Sequence, residues 1–401
     1  MKQETKYKAG ILSMALLSMA PLGISPSIAS IARSFPNASI SEIQMIMAIP
    51  NLMALVAAVL VARIANILPR KAIAIAGPSC VLIGGLTPFF IGTNLPILYL
   101  CSGILGLGTG MISNITQVLT VDLIPTEDRQ TVMAQNTMCV NMGGIFMTYV
   151  GGAAAVYGWH NNYLIYLIAA PIVIAVVALL PAIAAKAASN VSATHDYTTT
   201  EQKPSKKSAL NPTVLVIAIL GFAFMLLYNI FPNNISLLIE DGGLGDASTA
   251  GTANSICLIG GLISGLILGK IVPYFQKHAV AVAFGMFAVS LFVLGFPVHI
   301  AVVYVGSFFV GFAMTIYMAQ CPFLLSLSTD STTMPTAMAA FSIGSSLAGF
   351  VSPSIMNFIS SSFLGGNVEG MFMVAGCLAM VVCVLVAITR FQAHVLASTE
   401  A

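Results

Sequence analysis

Residues 72–121 read AIAIAGPSCVLIGGLTPFFIGTNLPILYLCSGILGLGTGMISNITQVLTV, fifty consecutive residues without an Asp, Glu, Lys or Arg. A helix needs about 20 predominantly apolar residues to cross a bilayer, so this one stretch holds two spans. The pattern continues outward in both directions. Charge is also missing from 9–32, 43–62, 130–185, 208–239, 247–269, 278–329, 331–368 and 370–389. By length, 130–185 and 278–329 hold two spans each and the others one, which makes twelve in all. Charged residues are 7% of the 401-residue chain, against about 25% in soluble domains. A water-facing surface cannot be built from so few. A β-barrel would show alternating segments of about ten residues, and these runs are continuous and too long. Helices remain, because inside lipid every backbone N–H and C=O must find an internal partner.

The first apolar run follows Lys2, Lys6 and Lys8, as in a secretory signal. At 24 residues it exceeds a signal core, and no small-residue cleavage site follows, so it reads as the first span. With the N-terminus inside, 14 of the 15 Lys and Arg residues fall on one side and only Arg33 on the other. The positive-inside rule makes that side cytoplasmic, which implies a multi-pass protein of the cell membrane with both termini in the cytoplasm. The outer loops carry Glu42, Glu240, Asp241, Asp246 and Glu369.

Several function classes are excluded or disfavoured by what the chain lacks. The basic residues are spread over separate short loops, so no nucleic-acid partner is expected. All seven Cys lie inside apolar runs without CxxC or Cys/His spacing, which argues for packing thiols and against a metal. No Walker loop is present, so ATP does not drive a cycle. No Ser/His/Asp or HExxH arrangement is visible, so the chain is not expected to be an enzyme or to carry a cofactor. Its expected partners are the lipid bilayer and a small organic solute, with a coupling proton or counter-solute left open, and its expected state is a monomer.

Residues 1–186 hold spans 1–6 and residues 212–401 hold spans 7–12. Between them, 187–211 is rich in Ser, Thr and charge and reads as a flexible cytoplasmic linker. The halves resemble each other at an offset of about 205–207. Ala62-Arg-Ile-Ala-Asn-Ile-Leu-Pro-Arg-Lys71 after span 2 matches Gly269-Lys-Ile-Val-Pro-Tyr-Phe-Gln-Lys-His278 after span 8. Tyr99, Ser102 and Gly106 match Tyr304, Ser307 and Gly311; Met133, Ala134 and Gly144 match Met338, Ala339 and Gly349. Six-plus-six parallel repeats are a transporter architecture, with the solute site near the bilayer midplane between the halves.

These features resemble the major facilitator superfamily over nearly the whole chain. Its loop between helices 2 and 3, roughly Gly-x-Leu-Ala-Asp-Arg-x-Gly-Arg-Arg, survives as Ile64-Ala65 and the basic pair Arg70-Lys71. Asn66 stands where the Asp is expected, Ile67 replaces the Arg and Pro69 the Gly. An acid followed by Pro and then Arg between helices 4 and 5 is intact as Asp122, Pro125 and Arg129, and Gly158-Trp159-His160-Asn161-Asn162-Tyr163 resembles the element before helix 6. The resemblance implies an all-α fold of twelve transmembrane helices in two six-helix bundles. It implies that Asn66, Arg70, Lys71, Asp122 and Arg129 brace the cytoplasmic side when the outer side is open; plain topology charges are the alternative. Proton-driven drug exporters of the family usually carry an Arg in helix 4 and a Gly-Pro pair in helix 5. Ser102 and Met147-Thr148 stand there instead.

Buried ionisable groups in membrane helices are costly and usually functional, and here none lies near the middle of a span. Neutral polarity remains for recognition. Asn114 and Gln117 in span 4 stand three apart and share a face; Tyr317 and Gln320 repeat that spacing in span 10. Span 7 offers Tyr228, Asn229 and Asn233, with Pro232 loosening the backbone. In the resembling family, helices 1, 4, 7 and 10 line the central cavity, which makes these seven the candidate solute contacts. The alternative is interhelical glue. The expected function is secondary transport of a small neutral or amphipathic organic solute by alternating access. Three rivals stay open: a proton-coupled drug or solute exporter of the same fold, a uniporter or solute exchanger without ion coupling, and a receptor that binds without translocating.

Overall fold

The computed structural model describes residues 3–64, 68–92, 94–181, 211–275, 277–329, 333–364 and 367–400. In chain order the helices are α1 (Glu4–Ser34), α2 (Ile40–Ile64), α3 (Arg70–Ile91), α4 (Leu95–Leu123), α5 (Thr126–Ala155) and α6 (Trp159–Leu179). Then come α7 (Pro212–Asp241), α8 (Ala247–Phe275), α9 (Ala279–Gly295), α10 (Ile300–Ser328), α11 (Met334–Leu364), α12 (Val368–Ile388) and a short α13 (Phe391–Glu400). Eleven of these are long and apolar enough to cross a membrane. The twelfth, α9, has 17 residues, or about 26 Å of rise, at the short end for a span. The fifty-residue uncharged stretch thus holds α3 and α4. Extended Asn94 breaks it, and Pro96 sits in the first turn of α4, where a missing N–H costs nothing.

Three helices are not continuous, and their prolines explain two of the breaks. In α1 an α-helix over Gln3–Ala15 gives way to a 3-10 segment over Ala20–Ser27 before Ile28–Ser34 resumes. Pro21 has no N–H to give to Leu17 O, and Ala20 N takes that carbonyl at 3.0 Å in the tighter pattern. In α7 the segments Pro212–Tyr228 and Ile230–Asp241 meet at Asn229, because the ring of Pro232 opposes the Tyr228 carbonyl four residues back. The third, α6, carries a 3-10 turn over Tyr163–Ile168. Pro50, by contrast, lies inside an unbroken α2.

Packing divides the chain into two compact units, one of Met1–Ala187 with Pro232–Ile259 and one of Ala188–Phe231 with Gly260–Ala401. This groups by contact where the sequence reading groups by repeat. The difference is that the Pro232–Ile259 parts of α7 and α8 bond to α1, α2 and α5. The proposed linker 187–211 lies outside the described residues except for Asn211.

In the first unit, α2 and α3 both pack along α4, whose Leu98, Leu105, Ile112, Ile115 and Leu119 are buried at helical spacing. A Cβ on Gly106 would sit 2.5 Å from Pro50 Cα, so only hydrogen permits that approach. Small residues at helix contacts matter because lipid removes most of the hydrophobic drive between helices and leaves close packing and hydrogen bonds. In the second unit, α9 packs against α10 and α12, and α7 against α11. Its centre is an aromatic group: Phe224 of α7 stacks on Tyr317 of α10 with ring centroids 4.0 Å apart and planes 1° apart. Phe284 and Phe287 of α9 close on Phe224 at 5.1 and 4.9 Å.

Candidate functional site

The candidate solute contacts divide by exposure. On α4, Gln117 is exposed, and Asn114 is half-buried with its Nδ2 donating to Gly110 O at 2.8 Å, one turn back. On α7, Tyr228 and Asn229 are half-buried and Asn229 Nδ2 donates to Met225 O at 2.7 Å. Each of these two asparagines uses one N–H on its own helix and keeps its carbonyl oxygen for other work. The α10 pair is more enclosed. Tyr317 is fully buried in the aromatic group, and Gln320 Oε1 accepts from Gln392 Nε2 of α13 at 3.2 Å. Gln392 Oε1 in turn accepts from Val280 N at 2.9 Å. That N–H belongs to the first turn of α9, where the preceding His278 makes no side-chain cap. Asn233 is 2% exposed, and its carbonyl accepts from Gln44 Nε2 at 3.4 Å.

The charged set near the N-terminal ends of α3 and α5 is drawn together inside the first unit. Arg70 pairs with Asp122 across α3 and α4. Arg129 donates to Val121 O at 2.7 Å and Ile124 O at 3.1 Å, closing the last carbonyls of α4. Lys71 donates to Val177 O of α6 at 2.8 Å, and Lys8 of α1 meets Asp128 of α5 at 2.9 Å. Asn66 lies outside the described residues.

The most developed polar site is at the other end of α1, where Arg33 sits, and the sequence reading foresaw only Asn233 of its members. There α1 and α7 exchange hydrogen bonds rung by rung. Ser25 Oγ donates to Pro232 O at 2.5 Å, Ala29 N donates to Ser236 Oγ at 3.1 Å, and Arg33 Nη1 donates to Glu240 Oε2 at 2.9 Å. Each rung joins residues 207 apart, and successive rungs are four residues apart. A constant difference means that α1 and α7 run parallel, and four residues are about 6 Å of rise. The register of 207 falls at the upper end of the internal repeat offset of about 205–207, so near-equivalent positions of the two halves face each other, as in a two-fold interface.

The seam is fastened sideways as well. Ser236 Oγ is 2.9 Å from Pro26 O, a carbonyl inside the 3-10 segment. Asn254 of α8 donates to Ser25 Oγ at 3.1 Å, and Gln44 of α2 donates to Asn234 Oδ1 at 2.7 Å. Where α5 crosses α8, Thr148 and Ser255 hydroxyls lie 2.9 Å apart. A Cβ on Gly251 would meet Thr148 O at 2.4 Å, and one on Gly152 would meet Ala247 O at 2.6 Å. Buried polar groups must be paired, and this set is mostly paired across helices.

A family model described as Major Facilitator Superfamily matches residues 9–353. The chain belongs to the major facilitator superfamily. It is a multi-pass membrane transporter of that kind. Among solved structures, a mutant of the nucleoside transporter NupG is similar over 97% of this chain and 100% of that one, at 13% identity and a TM-score of 0.77. A bacterial homolog of the human lysosomal transporter Spinster, inward-facing and unoccupied, is similar over 98% and 97%, at 12% identity and 0.70. The xylose transporter XylE from E. coli, in an inward open conformation, is similar over 94% of each chain, at 14% identity and 0.70. No curated protein matches the chain. At these identities the likeness carries the fold alone.

The α1–α7 seam lies wholly within the first compact unit. Sequence reasoning did not single out Ser25, Gln44, Asn234, Ser236 or Asn254, since nothing in the chain says which helix each of them meets. Glu240 was read as a loop residue, but it is the penultimate residue of α7 and its side chain is only 6% exposed. One signal was available: sliding α1 onto α7 by 207, the offset of the 62–71 and 269–278 loops, aligns Arg33 with Glu240.

Proposed function

We propose that the protein carries a small neutral or amphipathic organic solute across the cell membrane by alternating access, with its termini in the cytoplasm. The observation that carries this reading is the α1–α7 seam, three parallel rungs with Asn254, Gln44 and Asn234 bonded alongside. Polar side chains buried between helices that carry a proline break make a contact that can separate and re-form, since hydrogen bonds exchange with water at little net cost. The 14-to-1 split of basic residues assigns the Arg33 face to the outside.

The solute class follows from charge. No charged residue stands near the middle of a span, so an ionic solute would lack a partner there. Amides remain, and Asn114, Gln117, Tyr228 and Asn229 are the contacts we favour, ahead of Asn233, Tyr317 and Gln320, which sit in buried packing here. Nucleosides and xylose, named for the structural relatives, are uncharged and fit the same chemistry.

The test is a thermal-shift screen of purified protein against neutral metabolites, then counterflow of each hit in liposomes. Asn114→Ala and Gln117→Ala are expected to weaken the shift at least tenfold in solute concentration while leaving the ligand-free melting unchanged. Counterflow of a hit that persists with both changes rejects the α4 assignment. Saturable binding with no counterflow rejects transport in favour of a receptor. Extrusion of a hydrophobic cation that depends on a proton gradient rejects the neutral solute.

A further inference from the structure

Glu240 is the least exposed carboxylate in any ion pair among the described residues, at 6% against 23% for Asp122, 39% for Glu4, 47% for Asp128 and 55% for Asp241. It closes the last rung of the α1–α7 seam. Its Oε2 accepts from Arg33 Nη1 at 2.9 Å and lies 3.4 Å from Ser30 Oγ, both on α1. Its Oε1 lies 3.1 Å from Ser236 Oγ, one turn back on α7. That hydroxyl has a single proton to offer and is also 2.9 Å from Pro26 O, so the carboxylate and the α1 backbone compete for it. Arg33 is anchored a second time on Asp241 at 3.1 Å, and both of these side chains are 55% exposed. Water therefore reaches the rim of the rung, while the carboxylate behind it is covered.

We propose that Glu240 is a proton-binding site of this transporter, and that a proton taken up from the outer face releases the seam. The step is simple in balance. A hydronium ion gives its proton to Glu240 Oε2, water leaves, and the neutral acid is no longer an ion-pair partner for Arg33. Arg33 then stays with Asp241, already its second partner. The Ser30 hydroxyl can turn to accept from the new O–H, but the Arg33 guanidinium has no lone pair to receive it. Protonation thus removes the ion pair that ends the ladder and leaves a neutral acid against the Arg33 N–H donors, which favours separation of α7 from α1.

The other charged groups at this end do not substitute for it. On α2, Glu42 is exposed and accepts from Ser39 N and Oγ, and Gln44 is neutral. On α8, Asp246 is exposed and bonded to Thr249. On α6, His160 stacks on Trp159. The inference rests on the alternating-access reading above, so its test reads the seam without flux: transport can stand while this fails, and the reverse.

The experiment is hydrogen–deuterium exchange on the full-length protein in lipid nanodiscs between about pH 5 and 8, corrected for intrinsic exchange. Peptides covering residues 25–34 and 230–241 report the seam, and peptides from α9 and α12 serve as the internal reference. Wild type is expected to lose protection in both seam peptides, roughly tenfold, as pH falls. Glu240→Gln is expected to show the low protection at every pH. Asp241→Asn, which leaves the Arg33–Glu240 bond in place, keeps the wild-type pH response. Seam protection in wild type that does not change with pH overturns the proposal. So does a Glu240→Gln protein that keeps the full pH response. If that variant does not fold, the wild-type titration and Asp241→Asn still decide, because a response lost in Asp241→Asn moves the site to Asp241.

Discussion

Gly251→Ala adds one methyl group at the α5–α8 crossing, and the structure gives its cost. The new Cβ would lie 2.4 Å from Thr148 O and 3.1 Å from Gly152 Cα. A carbon–oxygen contact settles at about 3.4 Å, so α5 and α8 must part by about 1 Å. That stretches the 2.9 Å Thr148–Ser255 bond past hydrogen-bond reach. Forcing a methyl into such a contact costs about 1–3 kcal/mol, charged only to the conformation in which the helices touch. The closed-to-open ratio should fall about 5- to 150-fold. Alanine also favours the helix over glycine by about 1 kcal/mol, but α8 is helical in both conformations, so this cancels in the conformational equilibrium. It appears in global unfolding, where it partly offsets the clash. The assay pairs exchange at residues 25–34 and 230–241 with thermal melting. Faster seam exchange with a small change in melting is expected. Gly265→Ala is the control, since its Cβ meets Thr315 Cγ2 at an ordinary 3.7 Å. A Gly251→Ala protein whose seam exchanges like wild type, with a melting point that falls steeply, would falsify the idea that this crossing separates.

Two further outcomes test how the broken helices are supported. In a 3-10 helix the Gly23 carbonyl would accept from residue 26, which is a proline; Asn162 Nδ2 supplies the missing donor at 2.8 Å. Asn162→Ala is expected to lower unfolding stability by about 1–3 kcal/mol, moderated by removal of the buried, unpartnered Oδ1. Asn162→Asp, which sets an oxygen against that carbonyl, is expected to cost more, as melting of the two variants side by side would reveal. Gln392→Ala should uncap α9 and free Gln320, again at about 1–3 kcal/mol. Faster exchange at the start of α9 would locate the effect, and unaltered exchange there would exclude the capping role.

The apolar runs made the membrane class and the span count legible, and the intact Asp122-to-Arg129 element made the superfamily legible. Pro232 announced irregular backbone in α7, but a proline's presence is no sure guide: Pro21 and Pro26 sit in a 3-10 segment of α1, while Pro50 leaves α2 unbroken. The site was less legible. Asn114 and Tyr317 look alike in sequence, each an amide or phenol paired three residues on with a glutamine. In the structure Asn114 is partly open, while Tyr317 lies flat against Phe224 and Gln320 is held by a glutamine 72 residues away. Helical spacing says which residues share a face, and nothing in it says what that face meets.

The sequence by itself determined that this chain lies in a membrane, how its helices divide, and that their middles carry no charge. Those are matters of solvation, and each residue's cost of leaving water is its own property. Only the tertiary structure decided that Glu240, a residue at a span end, is covered, and that α1 and α7 meet in the register of the internal repeat. Such facts depend on which helix lies beside which, over separations of 207 residues, and a pairing of that range leaves no periodicity in the chain.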